Sequence, residues 1–116
     1  MCVQNESLPC TGLKIIDKKI TMLAAALVTQ PELLLLDEPV AGLSPVEAEQ
    51  FIDLAKRINQ ELGITIIVIE HLMRVLIEIT DRLMILDNGR KIALGPPTKV
   101  VKDPKVIEVY LGASGA

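Results

Sequence analysis

Leu33-Leu34-Leu35-Leu36 forms an unbroken apolar run between Pro31 and the acidic pair Asp37-Glu38, with Pro39 behind it. A run this short and this apolar suits a strand covered on both faces, as in the parallel sheet of an α/β fold. Proline has no N–H for a strand ladder, so the strand is expected to stop by Glu38. Ile64-Thr65-Ile66-Ile67-Val68-Ile69 is almost wholly β-branched and predicts a second buried strand. Helical spacing surrounds both runs. Ile20, Leu23, Ala24, Leu27 and Val28 share one face of a helix that Asp17 caps from Lys18 and Pro31 ends. Phe51, Leu54, Ala55, Ile58 and Leu62 share a face of a second helix. Its start carries Ser44 as N-cap, Pro45 at the first helical position and Glu47 to complete a capping box; Gly63 marks its stop.

Leu72, Met73, Val75, Leu76 and Ile79 predict a short, very apolar helix, and Arg82 to Leu86 a third strand. Asp87-Asn88-Gly89 is a hairpin-turn signal, with Lys91 to Leu94 returning antiparallel. Gly95-Pro96-Pro97 breaks the chain before a short helix through Val101. Asp103 and Pro104 restart a last helix, with Ile107, Tyr110 and Leu111 facing inward and Gly112 ending it. Residues 1–12 read as an irregular lead-in and 113–116 as a frayed tail. The predicted order is α-β-α-β-α-β-β-α-α, an α/β fold with a mainly parallel sheet, a C-terminal antiparallel hairpin and terminal helices. Strand–helix–strand connections of this length imply parallel pairing with right-handed crossovers.

Composition sharpens this only in places. Half of the 116 residues are hydrophobic, yet there is one Phe, one Tyr and no Trp. The core must therefore be aliphatic, with Met22, Met73 and Met84 as fillers. The net charge is −3 with both signs interspersed, and no basic tract points to nucleic acid. No apolar run approaches the ~20 residues needed to cross a bilayer, and no basic-then-apolar leader opens the chain. Two cysteines, Cys2 and Cys10, read as free thiols, and with a single histidine they supply no metal-ligand spacing.

The predicted topology has one chemical consequence. Asp37-Glu38 and Glu70-His71 leave the C-terminal ends of two parallel strands, so they belong to one edge of the sheet, where open α/β sheets bind ligands. Taken singly, an acidic strand exit is ordinarily just solvated, and a lone histidine is more often structural than catalytic. Taken together beside a nucleotide, one carboxylate would organise Mg²⁺, the other would orient a water for in-line attack, and the imidazole would meet the phosphoryl charge.

LLLLDEP, then AGLSP, then a strand ending in IEH resemble the Walker B motif, D-loop and switch histidine of ABC-transporter ATPases. They stand in the family's order and at its separations, and the resemblance covers about residues 13–112. NGRKIALGPPTKVVKDPKVIEVYLG further resembles the C-terminal end of the ATPase subunits of branched-chain amino-acid importers. The resemblance implies a partial P-loop NTPase fold, with 13–112 as the C-terminal half of a nucleotide-binding domain. It implies that Asp37 holds Mg²⁺ through water, Glu38 polarises the attacking water and His71 contacts the γ-phosphate. Gly42, Leu43 and Ser44 would lie in the D-loop, at the nucleotide and dimer interface. ATP and Mg²⁺ are the implied cofactors. Permease subunits and a second ATPase subunit are the implied partners, at the cytoplasmic face of the cell membrane.

The departures from the family pattern carry as much weight. No G-x-x-x-x-G-K-[ST] occurs in the 116 residues, so the backbone cradle and lysine that grip phosphates are missing. The aromatic that stacks on adenine and the Q-loop glutamine are also absent. The signature segment falls at Leu13 to Asp17, where Lys14-Ile15-Ile16 replaces the usual Ser-Gly-Gly. Ala25 stands in place of the usual arginine in the following helix, and Ser44 where many members have Asp. Two readings follow. One is an ATPase subunit whose N-terminal half is missing or supplied by another chain, the chain alone being inactive. The other is a non-catalytic remnant or interaction module that pairs with another chain. Either way, an apolar face or an open strand edge is expected where the P-loop strand and helix would pack.

Overall fold

In the computed structural model the backbone is described for residues 12–115 and side chains for 12–110. Residues 1–11 of the expected lead-in, with both cysteines, and the final residue lie outside the described residues. The elements are α1 (Ile15–Val28), β1 (Leu33–Asp37), α2 (Pro45–Leu62), β2 (Thr65–Ile69), α3 (Met73–Ile79), β3 (Leu83–Asp87), β4 (Arg90–Gly95), α4 (Pro97–Val100) and α5 (Pro104–Gly115). This is the order the hydrophobic pattern predicts. The chain divides between His71 and Leu72 into two compact units.

In the first unit β1 and β2 pair in parallel, with Leu33 opposite Thr65, Leu35 opposite Ile67 and Asp37 opposite Ile69. The crossover helix α2 forms where its end signals place it. The Ser44 hydroxyl accepts from the Glu47 N–H at 3.2 Å, and the Glu47 carboxylate accepts from the Ser44 N–H at 3.1 Å. These reciprocal bonds satisfy two of the helix's orphan donors. At the other end Gly63 takes φ 67, and its N–H returns to Asn59 O at 3.1 Å. Asn59 Nδ2 donates to Ile64 O at 2.8 Å, tying the end of α2 to the start of β2. Leu23, Leu34, Phe51, Ile58 and Ile64 make the buried core, with Leu27, Leu36, Leu43 and Ile66 packed against it.

Four expectations need correction here. The leucine strand is covered on one face only: Leu34 is buried, whereas Leu33 and Leu35 are exposed, as are Ile67 and Ile69 on β2. The core gathers α1 and α2 on a single face of the pair, so the alternate strand residues stay bare. Helix α1 starts at Ile15 rather than Lys18, with Lys14 as an N-cap that makes no side-chain cap bond and Asp17 in the first turn. The earlier start puts Ile16 on the inward row with Ile20, Leu23 and Leu27, and leaves Ala24 and Val28 exposed. On α2 the inward row is Ala48, Phe51, Ile52, Ala55 and Ile58, and Leu62 is exposed. Met22 and Met84 are likewise exposed rather than core fillers.

In the second unit β3 and β4 form an antiparallel hairpin. Its turn residues Asn88 and Gly89 take φ 48 and 77, the two positive values a tight two-residue hairpin requires. The described strands thus make one parallel and one antiparallel pair, and β3 is hydrogen-bonded to β4 alone. The tight turn ties β3 to its neighbour in sequence, which a crossover connection does not do. Helix α3 buries Val75 and Leu76, and α4 buries Pro97 and Val100. Asp103 caps α5, accepting from the Lys105 N–H at 2.9 Å. The inward residue of α5 is Val106, with Val109 half-buried one turn on; Ile107 and Tyr110 are exposed. The inward row lies one residue before the predicted one. The Leu111 side chain lies outside the described residues, and the helix continues to Gly115, past Gly112.

Candidate functional site at the parallel strand ends

The ladder closes at Asp37, opposite Ile69, and one further bond runs from the Glu38 N–H to Ile69 O at 2.7 Å. At Glu38 the chain swings into the left-handed region, φ 46. A residue with a Cβ is disfavoured there by about 1 kcal/mol. Pro39 has no N–H to offer, and the segment turns back through Ala41 N–H to Glu38 O and Leu43 N–H to Val40 O, each 3.2 Å. Pro39 and Val40 are buried, so the loop is pinned while Asp37 and Glu38 stay exposed.

His71 follows β2 by one residue. Its Nδ1 lies 3.3 Å from Glu38 Oε1 and 3.4 Å from Glu70 Oε2, and its backbone N–H donates to the same Glu70 Oε2 at 2.9 Å. The imidazole is largely solvent-facing, whereas the Glu70 side chain is 1% exposed. Its Oε1 is buried without a hydrogen-bond partner. The predicted convergence of Glu38 and His71 at one sheet edge is therefore present. Sequence reasoning placed Glu70 at this sheet edge but gave it no role. Its signal was available: it occupies on β2 the place Glu38 occupies on β1, one residue past the ladder.

Gly42, Leu43 and Ser44 form the connection from β1 to α2. Gly42 takes φ 79, and a Cβ there would meet Ile15 Cδ1 at 3.5 Å, so the loop lies against the start of α1. The Ser44 hydroxyl is committed to the cap of α2. Lys14 sits at the cap of α1, where its ammonium, a donor only, cannot accept from the helix's free N–H groups. Among the described residues no three or more His, Cys, Asp or Glu side chains are grouped to enclose a metal. Mg²⁺ asks for less: one or two carboxylates, with water and phosphate oxygens completing its shell. The exposed Asp37 at the strand end fits that demand.

Residues 90–116 match the family model described as branched-chain amino acid ATP-binding cassette transporter. The chain is 38% identical over 96 residues to the high-affinity branched-chain amino acid transport ATP-binding protein LivG of Escherichia coli, covering 83% of this chain and 38% of LivG. A Bacillus cereus protein bearing the name of an ABC transporter ATP-binding protein is 46% identical over 93 residues, 80% of this chain and 17% of that protein. An ATP-binding cassette of an ABC transporter, crystallised in its ADP conformation, superposes with a TM-score of 0.78 at 32% identity, covering 87% of this chain and 41% of the cassette. The cbiO1 protein of Clostridium perfringens, part of the transporter complex cbiONQ, gives 0.77 at 32% identity, covering 93% and 44%. The chain spans less than half the length of each of these relatives. It belongs to the ATP-binding cassettes of ABC transporters and corresponds to the C-terminal part of one. Within that family, residues 90–116 match the model of the branched-chain amino acid cassettes, and LivG is among the relatives.

Proposed function

We propose that this chain carries the hydrolytic edge of an ATPase subunit that drives import of branched-chain amino acids. The supporting observation is the approach of His71 Nδ1 to Glu38 Oε1 across the ends of two parallel strands. In this reading Glu38 orients the attacking water and takes its proton as the oxygen bonds to the γ-phosphorus and ADP leaves. His71 meets the γ-phosphate oxygens, and Asp37 holds Mg²⁺ through water, the ion neutralising phosphate charge. Gly42 to Ser44 present backbone to a second ATPase subunit, and permease subunits at the cytoplasmic membrane face receive the work. Among the described residues no helix is long and apolar enough to cross a membrane.

The 116 residues hold no glycine-rich phosphate loop, and hydrolysis in this reading requires that loop from elsewhere. The test is reconstitution. The chain mixed with an N-terminal cassette piece bearing a G-x-x-x-x-G-K-[ST] loop is expected to hydrolyse ATP, and Glu38→Gln to abolish the activity. A reconstituted pair unaffected by Glu38→Gln would overturn the assignment. The bare face of β1 and β2 favours a second reading, an interaction module whose role is to pair with another chain without hydrolysis. Reconstituted complexes that form but never turn over ATP would favour it.

A further inference from the structure

We infer that Glu70 positions the His71 imidazole, holding its ring proton on Nδ1 and so deciding which nitrogen is left to face a ligand. Glu70 Oε2 reaches two groups of its neighbour, the His71 N–H at 2.9 Å and Nδ1 at 3.4 Å. Glu38 Oε1 approaches the same nitrogen at 3.3 Å. An ionised carboxylate accepts and never donates, so a neutral ring facing two of them carries its proton on Nδ1. The bond made by one ring nitrogen sets the state of the other. The two carboxylates are not equivalent. Glu38 is 52% exposed and Glu70 only 1%, so solvent screens the pull of the first far more than that of the second.

Glu70 is also an expensive residue to keep. A buried carboxylate with one oxygen unpartnered costs stability that an apolar side chain of the same length would not. Packing alone does not call for it. The approach of its Oε2 to Nδ1 leaves Nε2 as the nitrogen free for a phosphate oxygen. A contact of that kind requires Nε2 to carry a proton too, which makes the ring an imidazolium with a fixed negative charge beside it. That last consequence rests on the proposed function; the tautomer does not.

His71 is the only histidine in the chain, so its ring nitrogens are read without ambiguity. The test is long-range ¹H–¹⁵N correlation on the full chain, ¹⁵N-labelled at histidine, at about pH 9, above the ordinary imidazole value of about 6.5. The wild type is expected to show Nδ1 protonated and Nε2 bare. Glu70→Met keeps the stem and removes both oxygens; it is expected to lose this bias and show mixed tautomers. Glu38→Ala is expected to retain it. A wild-type ring protonated on Nε2, an unchanged spectrum in Glu70→Met, or loss of the bias in Glu38→Ala would each overturn the proposal. Should Glu70→Met not fold, the other two spectra decide it: Nδ1–H in both supports Glu70, and any other result removes it. No nucleotide enters these spectra. A failed reconstitution with the Nδ1 tautomer intact counts against ATP hydrolysis alone.

Discussion

Leu35 lies directly opposite Ile67 in the parallel pair, and both side chains stand bare, 68% and 50% exposed. Leu33 and Ile69 extend the same face. Covering large aliphatic side chains of this kind contributes on the order of 1 kcal/mol each, even when burial is partial. The 116-residue chain is therefore expected to self-associate or bind a covering partner. Sedimentation velocity over a concentration series checks this. The double substitution Leu35→Thr with Ile67→Thr keeps strand propensity and is expected to weaken association by at least about tenfold. A wild-type chain that stays monomeric at every concentration contradicts the expectation.

The reciprocal bonds between Ser44 and Glu47 give a second prediction. Ser44→Ala removes the side-chain acceptor for the Glu47 N–H and is expected to cost about 1 kcal/mol of stability. Ser44→Gly should cost only a few tenths, because glycine is tolerated at the cap. Urea unfolding followed by circular dichroism measures both. Equal losses in the two variants would mean that the capping bond contributes little.

The order of elements was legible because its signals are local. Ser44-Pro45 with Glu47, Gly63, and Asn88-Gly89 each demand a particular backbone and obtain it. The inward faces of α1 and α5 were misplaced because a helix shifted by one residue turns each side chain by about 100°. Deciding between adjacent rows such as Val106 and Ile107 needs the partner surface, which a single segment does not contain. The leucine run misled for a related reason. An unbroken apolar run says that both faces of a strand want covering, and here only Leu34 and Leu36 are met by helices. At the site, Glu38 and His71 were readable from strand ends and family motifs. Glu70 was readable in place but not in role, because adjacency in sequence said nothing of its burial.

Glu38 supplies a prediction about stability against function. Its φ of 46 is a conformation glycine adopts freely and glutamate does not. Glu38→Gly is expected to raise stability by about 1 kcal/mol, since the contact it gives up to His71 is exposed and worth little. The same change deletes the water-orienting carboxylate of the proposed mechanism. Chemical denaturation should move in one direction and reconstituted ATPase activity in the other. A destabilised Glu38→Gly chain would mean that the bond from the Glu38 N–H to Ile69 O depends on the side chain after all.

The last prediction concerns nucleotide binding by the chain alone. Asp37, Glu38 and His71 offer two negative charges and one imidazole to a ligand that is itself strongly anionic. In the loop from Val40 to Leu43 two N–H groups are already taken by nearby carbonyls, Ala41 by Glu38 O and Leu43 by Val40 O, each at 3.2 Å. No phosphate-wrapping glycine loop or its lysine is present in the 116 residues to offset that repulsion. MgATP is therefore expected to bind with a Kd weaker than about 1 mM, less than about 4 kcal/mol of affinity. Isothermal titration calorimetry with MgATP tests this. Micromolar binding would show that these strand ends hold a phosphate without the loop. In that case reconstitution with a P-loop piece would no longer be needed to explain hydrolysis.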